Sequence, residues 1–269
     1  MELKFEALSF SSRLKRMLHV DTRRMFTMPL LYIMIAISFI IPILILVMTS
    51  MMPSTTVDPV TGIETPVETF TNTWQAIGSF PSNSNDEAAM SMSLVSMCNI
   101  NMMYFGIAVL VAIFVSSDFR SGYNKNLFTV RSKKIDYVIS KTIVCFIAGA
   151  LMIIAFFIGS MLGGAFAGLS FDLGSLDTTN IIMCITSKVL IVLVFVPIFL
   201  VMSVAGKQRT WLSLLGGFGV GMLLFTMVPM ITPLDSNIIN VLLCLIGGVL
   251  FSIGIGAISN IVLKKTSLV

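Results

Sequence analysis

Six basic side chains, Arg120, Lys125, Arg131, Lys133, Lys134 and Lys141, crowd residues 116–141, and only Asp118 and Asp136 oppose them. Their chemistry is electrostatic. They hold a loop against a membrane surface, or they edge a surface that meets a protein partner. A second feature is Lys188, the one basic residue inside an apolar run. It lies eight residues past Asn180, so roughly 12 Å into its helix. The preferred reading is an ammonium that snorkels outward, toward Asp172 or Asp177. The alternative is an intramembrane charge at a substrate or gate site. A third feature is the trio Ser93, Ser96 and Asn99, spaced to share one helical face. It either bonds a neighbouring helix or, with Lys188, lines a translocation path.

Bond-making chemistry has no comparable constellation. There is no G-x-x-x-x-G-K-[ST] loop, so the chain has no cradle for ATP phosphates. At residues 205–209, the nearest approach, Val201 stands where the first Gly belongs and Gln208 replaces the Ser/Thr. H-E-x-x-H and G-x-S-x-G are missing, and His19 is the single histidine. A single histidine outside the apolar runs counts against a histidine metal cluster or a Ser-His triad in the membrane. The sequence predicts no catalytic, cofactor-binding or metal-binding residues. The 20 methionines are spread without a tight motif. They read as adaptable packing rather than a Cu(I) route. Cys98, Cys145, Cys184 and Cys244 all lie in apolar runs and read as small buried hydrophobes.

The elements that carry these residues follow from composition. The chain is 56% hydrophobic and 11% charged, against about 25% charged in soluble proteins, and its mean hydropathy is +0.98. It is expected to be an all-α integral membrane protein. A span needs about 20 apolar residues, and six runs qualify: Leu30–Met52, Leu94–Ser116, Thr142–Leu169, Ile181–Ala205, Trp211–Met230 and Ile238–Leu263. Residues 1–28 carry six basic and three acidic residues before any apolar run, unlike a signal peptide. Segments 1–28, 117–141, 206–210 and 264–269 hold 16 of the 17 basic residues. Segments 53–93, 170–180 and 231–237 hold eight acids and no Lys or Arg. The positive-inside rule therefore places both termini and the 117–141 loop in the cytoplasm. The net charge of +4 reflects topology and gives no reason to expect nucleic acid as a partner.

Finer features hang on this frame. In residues 10–28, Phe10, Leu14, Met17, Leu18 and Met25 recur at helical spacing among Arg13, Lys15, Arg16, Arg23 and Arg24. This predicts an amphipathic helix in the membrane interface, with Pro29 turning into the first span. In the outer loop 53–93, Phe70, Trp74 and Ile77 share a predicted helical face, with the aromatics resting on the outer interface. The second helix is expected to start at Asp86 or Glu87 and to run about 48 Å to Ser117. Gly159/Gly163, Gly164/Gly168 and Gly217/Gly221 are small-residue pairs suited to close helix packing.

The 116–141 stretch itself is patterned. Phe119, Tyr123, Leu127 and Val130 form one helical stripe, with Arg120 and Lys125 off it, followed by the basic turn 131–134 and a cap at Ser132. It reads as a short amphipathic helix, serving as a membrane-hugging loop or as a docking helix. Here the chain resembles the membrane subunit of an ABC-2-type exporter. The resemblance spans nearly the whole length: a basic amphipathic elbow helix, six spans, and a large outer loop after the first. Its most specific part is Asp118, then Gly122, a short coupling helix Tyr123–Val130, and Lys141 opening the third span. The short 231–237 segment departs from the family pattern and leaves little room for re-entrant outer helices.

The resemblance implies a domain plan of an elbow helix (1–28) and a six-span domain (29–269). It implies an ATPase-docking surface at Asp118, Phe119, Arg120, Gly122, Tyr123, Lys125, Leu127 and Phe128. It further implies a separate cytoplasmic ABC ATPase in two copies, holding ATP and Mg, and a second six-span permease, either a copy or a paralogue. An amphipathic peptide, a drug or a lipid would be the cargo. Two other classes stay open: a non-transporting immunity or assembly protein, and a secondary transporter. The absence of Asp and Glu from the spans counts against the secondary transporter.

Overall fold

The computed structural model describes residues 9–51, 55–57, 64–66, 69–78, 98–130, 134–207, 209–225 and 227–265. The chain forms helices α1 (Phe10–Thr27), α2 (Pro29–Ser50), α3 (Met103–Arg120), α4 (Tyr123–Val130) and α5 (Lys134–Ala167). It continues with α6 (Thr178–Gly206), α7 (Thr210–Phe225), α8 (Val228–Ile231) and α9 (Ile238–Lys265). Between α2 and α3 lie a ribbon of two short strands, β1 (Thr55–Val57) and β2 (Glu64–Pro66), and two 3-10 turns.

Five helices are long and apolar enough to cross a membrane: Pro29–Ser50, Ile100–Arg120, Lys134–Ala167, Thr178–Gly206 and Ile238–Lys264. The fifth expected run, Trp211–Met230, does not form one helix. It gives α7, 16 residues long, and the four-residue α8, with Pro229 in the first turn of α8. A proline lacks the N–H needed to continue an α-helical ladder from the preceding turn.

α3 and α6 form the centre, with 67% and 61% of their apolar windows buried, while α9 at 11% and α2 at 28% lie at the edges. α2 runs along α5, and α9 along α6. Gly159 and Gly163 make the first of these contacts possible: a Cβ at Gly159 would collide with the Phe39 carbonyl, and one at Gly163 with the Ile43 backbone. Several hydroxyls inside the helices are satisfied locally. Ser38, Ser160, Thr186 and Ser203 each donate to a carbonyl one turn back.

Two expectations change at the acidic end of the bundle. Asn99 is extended (φ −100°, ψ 178°) and caps the turn Ile100–Met102, so no helix runs through it from Asp86. Residues 79–97, including Ser93 and Ser96, lie outside the described residues. Phe70, Trp74 and Ile77 do not share an outward face either. Thr73–Ala76 is a single 3-10 turn with a capping box from Asn72 and Gln75. Phe70 packs on Leu46, Ile77 on Cys184 and Leu234, and the Trp74 indole donates to the Phe171 carbonyl (3.0 Å). The segment caps the bundle because the Thr73 N–H donates to the Ser170 carbonyl and the Asn72 and Trp74 side chains donate to the Asp172 and Phe171 carbonyls.

Candidate functional site: a buried ion network and an unpaired lysine

At the basic end, four elements converge on Lys141. Its ammonium lies 2.9 Å from Asp21 of α1 and 2.7 Å from Asp118 of α3, and all three side chains are fully buried. Arg24 reaches the other Asp118 oxygen at 2.7 Å. The Ser140 hydroxyl donates to Asp21 (2.6 Å) and the Tyr137 hydroxyl to Asp118 (2.9 Å). Lys141 also stands over the Phe114 ring (3.8 Å), and Arg24 over that of Tyr123 (4.1 Å). Two carboxylates balance two cations, and further donors occupy the remaining lone pairs, the condition under which buried charge is tolerated. Burial acts to lower Arg24, but the Asp118 carboxylate outweighs it and holds the guanidinium above its ordinary value. Burial pushes the Tyr123 phenol up, reinforced by Asp21 and Asp118 against the pull of Arg24. A second pair, Arg13 Nε to Asp136 (2.9 Å), ties the start of α1 to α5.

α1 is helical where its periodicity indicates, but its inner face carries Met17, Asp21 and Met25, so an acid rather than a purely apolar stripe seats it. Lys15, Arg16 and Arg23 remain exposed. Of the loop cations, Lys134 donates to the Leu263 carbonyl (2.7 Å) near the end of α9, a favourable position for a cation. Arg120 donates to Thr210 (2.7 Å), and Lys125 is exposed. Arg131, Ser132 and Lys133 lie outside the described residues.

Gly122 divides α3 from α4 in a left-handed conformation (φ +71°), which a glycine adopts without steric cost. The stripe expected to meet a partner turns inward instead. Phe119, Leu127 and Phe128 pack against the chain's own core, Phe128 edge-on to Tyr137 at 5.6 Å. Asp118 is buried in the ion network. The face of α4 left exposed is Lys125, Asn126 and Thr129. The packing has a simple cause: α4 follows α3 after only two residues, so its apolar side falls onto the ends of α3 and α5.

Lys188 does not snorkel. It is fully buried, and its ammonium donates to Asn101 Oδ1 (3.0 Å) and Thr232 Oγ1 (2.9 Å). Among the described residues no carboxylate pairs with it. The hydroxyl of Tyr104, stacked on Phe195 at 4.4 Å, donates to the Lys188 carbonyl (2.9 Å) and locks this turn of α6 to α3. Asn101 and Thr232 come from segments distant in sequence, so counting residues to the helix end could not reveal them. Asn99 stands two residues away, capping the same helix.

No protein-family model, curated protein or solved structure matches this chain. The functional reading therefore rests on its own residues. Sequence reasoning singled out Asp118, Lys141 and Lys188 but missed Asp21 and Asn101. The available signal was an acid on the apolar face of α1, four residues from both Met17 and Met25.

Proposed function

We propose that the chain is the permease subunit of an ATP-driven exporter of the ABC-2 type. In this reading the basic end faces the cytoplasm, and α7 with α8 serves as a broken fifth span, which brings the spans across the cell membrane to six. α1 lies in the interface as the elbow helix. A separate ATPase, in two copies and carrying ATP and Mg, docks beneath α4. A second permease, a copy or a paralogue, completes the pore for an amphipathic cargo.

The observation that carries this reading is the mounting of α4. A short helix at the basic end sets its Tyr123 ring against Arg24 of the ion network that joins α1, α3 and α5, with Lys125, Asn126 and Thr129 exposed. A partner pressing on that face would move three helices together, as coupling requires. The test is to purify the tagged chain in detergent from its native membrane and identify any ABC ATPase that co-purifies. Retention of the ATPase and its loss on Lys125→Glu with Thr129→Arg is the expected result. Failure of the wild-type chain to hold the ATPase, with the chain itself folded, would overturn the proposal.

A further inference from the structure

We infer that Lys188 and Asn101 form a binding site for a carboxylate carried on an apolar body. Only its role as the cargo contact rests on the exporter reading. The ammonium has three N–H donors, and two are used, on Asn101 and Thr232. Asn101 gives its oxygen to Lys188, which fixes the orientation of the amide. Its Nδ2 therefore lies in the same cluster, in a side chain 1% exposed, with no acceptor. The Thr232 hydroxyl hydrogen is committed to the Val228 carbonyl (2.9 Å), so Thr232 contributes a lone pair only. Asn101 also sits at the amino end of the 21-residue helix Ile100–Arg120, where the helix dipole is positive. A full positive charge, spare donors and a positive helix end converge, and the anion that would balance them is supplied by no described residue.

The chemistry selects the ligand. One ammonium balances one negative charge, which favours a carboxylate over a phosphate monoester, whose charge at neutral pH is about −1.5 to −2. Two oxygens can span Lys188 Nζ and Asn101 Nδ2. The buried neighbours Tyr104, Phe195, Val228 and Cys184 offer hydrocarbon and ring surface to the rest of the molecule. Thr232 closes the site here. It stands on the turn after α8 rather than on a long helix, so it is the side chain that yields to the incoming carboxylate.

The test uses the full chain in phosphatidylcholine nanodiscs without any ATPase, with radiolabelled laurate as the probe. Laurate is expected to bind saturably, to resist competition by dodecanol, and to bind more tightly than dodecyl phosphate. Lys188→Met should weaken binding by at least about tenfold. Asn101→Asp supplies the missing carboxylate from within, so it should abolish laurate binding while raising the melting temperature. Absence of saturable binding, equal binding by Lys188→Met, or a lowered melting temperature for Asn101→Asp would overturn the site. Tighter binding of dodecyl phosphate would overturn the carboxylate assignment. Because no ATPase is present, these outcomes are independent of whether the chain couples to one.

Discussion

Lys141 is the residue on which the basic end depends. Replacing it with Met leaves Asp21 and Asp118 buried without their shared cation, and breaking a buried pair in this way costs about 3–5 kcal/mol. Lys141→Met should therefore lower the unfolding midpoint strongly in detergent. Adding Asp21→Asn should recover much of the loss, since Arg24 then balances the one remaining carboxylate, Asp118. An unchanged midpoint for the single variant would mean that the network does not hold α1. Asp118 and Lys141 stood out in the sequence through the family resemblance, as part of a docking segment and as the opening of the third span, not as members of an ion network. Their partner Asp21 did not, because it lies about 100 residues upstream of the nearer one and looks like ordinary polarity in a basic helix. Lys188 was misread for a related reason. Its nearest helix end and its nearest acids are visible in one dimension, whereas Asn101 and Thr232 meet it only in the folded bundle.

α4 shows what periodicity can and cannot give. The 119/123/127/130 stripe indicates a helix, and Tyr123–Val130 is one. Periodicity states which residues share a face, not what that face meets. Here Phe119 and Leu127 meet the chain's own core. In a background without native cysteines, Lys125→Cys and Thr129→Cys should react rapidly with a maleimide, and Leu127→Cys much more slowly. Equal rates would contradict the inward packing. α7 and α8 teach the complementary lesson. A 20-residue apolar run looks continuous by hydropathy, but Pro229 and the turn at Met227 divide it, and length alone does not register such a break.

Across the whole molecule the charges segregate. Arg13, Arg24, Arg120, Lys134 and Lys141 gather at one end, joined through contacts among α1, α3, α5, α7 and α9. Asp172, Asp177 and Asp235 lie at the other, where Asn72 and Asn180 reach the Asp172 and Asp235 carbonyls. With the basic end in the cytoplasm, an impermeant maleimide on intact cells should label Ser175→Cys and spare Thr129→Cys, both exposed positions. The reverse pattern would invert the proposed orientation. The same ion network also imposes an order on biosynthesis. Asp21 leaves the ribosome first, Asp118 follows, and Lys141 comes last, at a synthesis rate of about 5–20 residues per second. Until Lys141 arrives, α1 has no buried cation to receive its acid, and two carboxylates share Arg24 alone. Docking of α1 therefore waits for α5, and the two acids stay unsealed until the third span has been made.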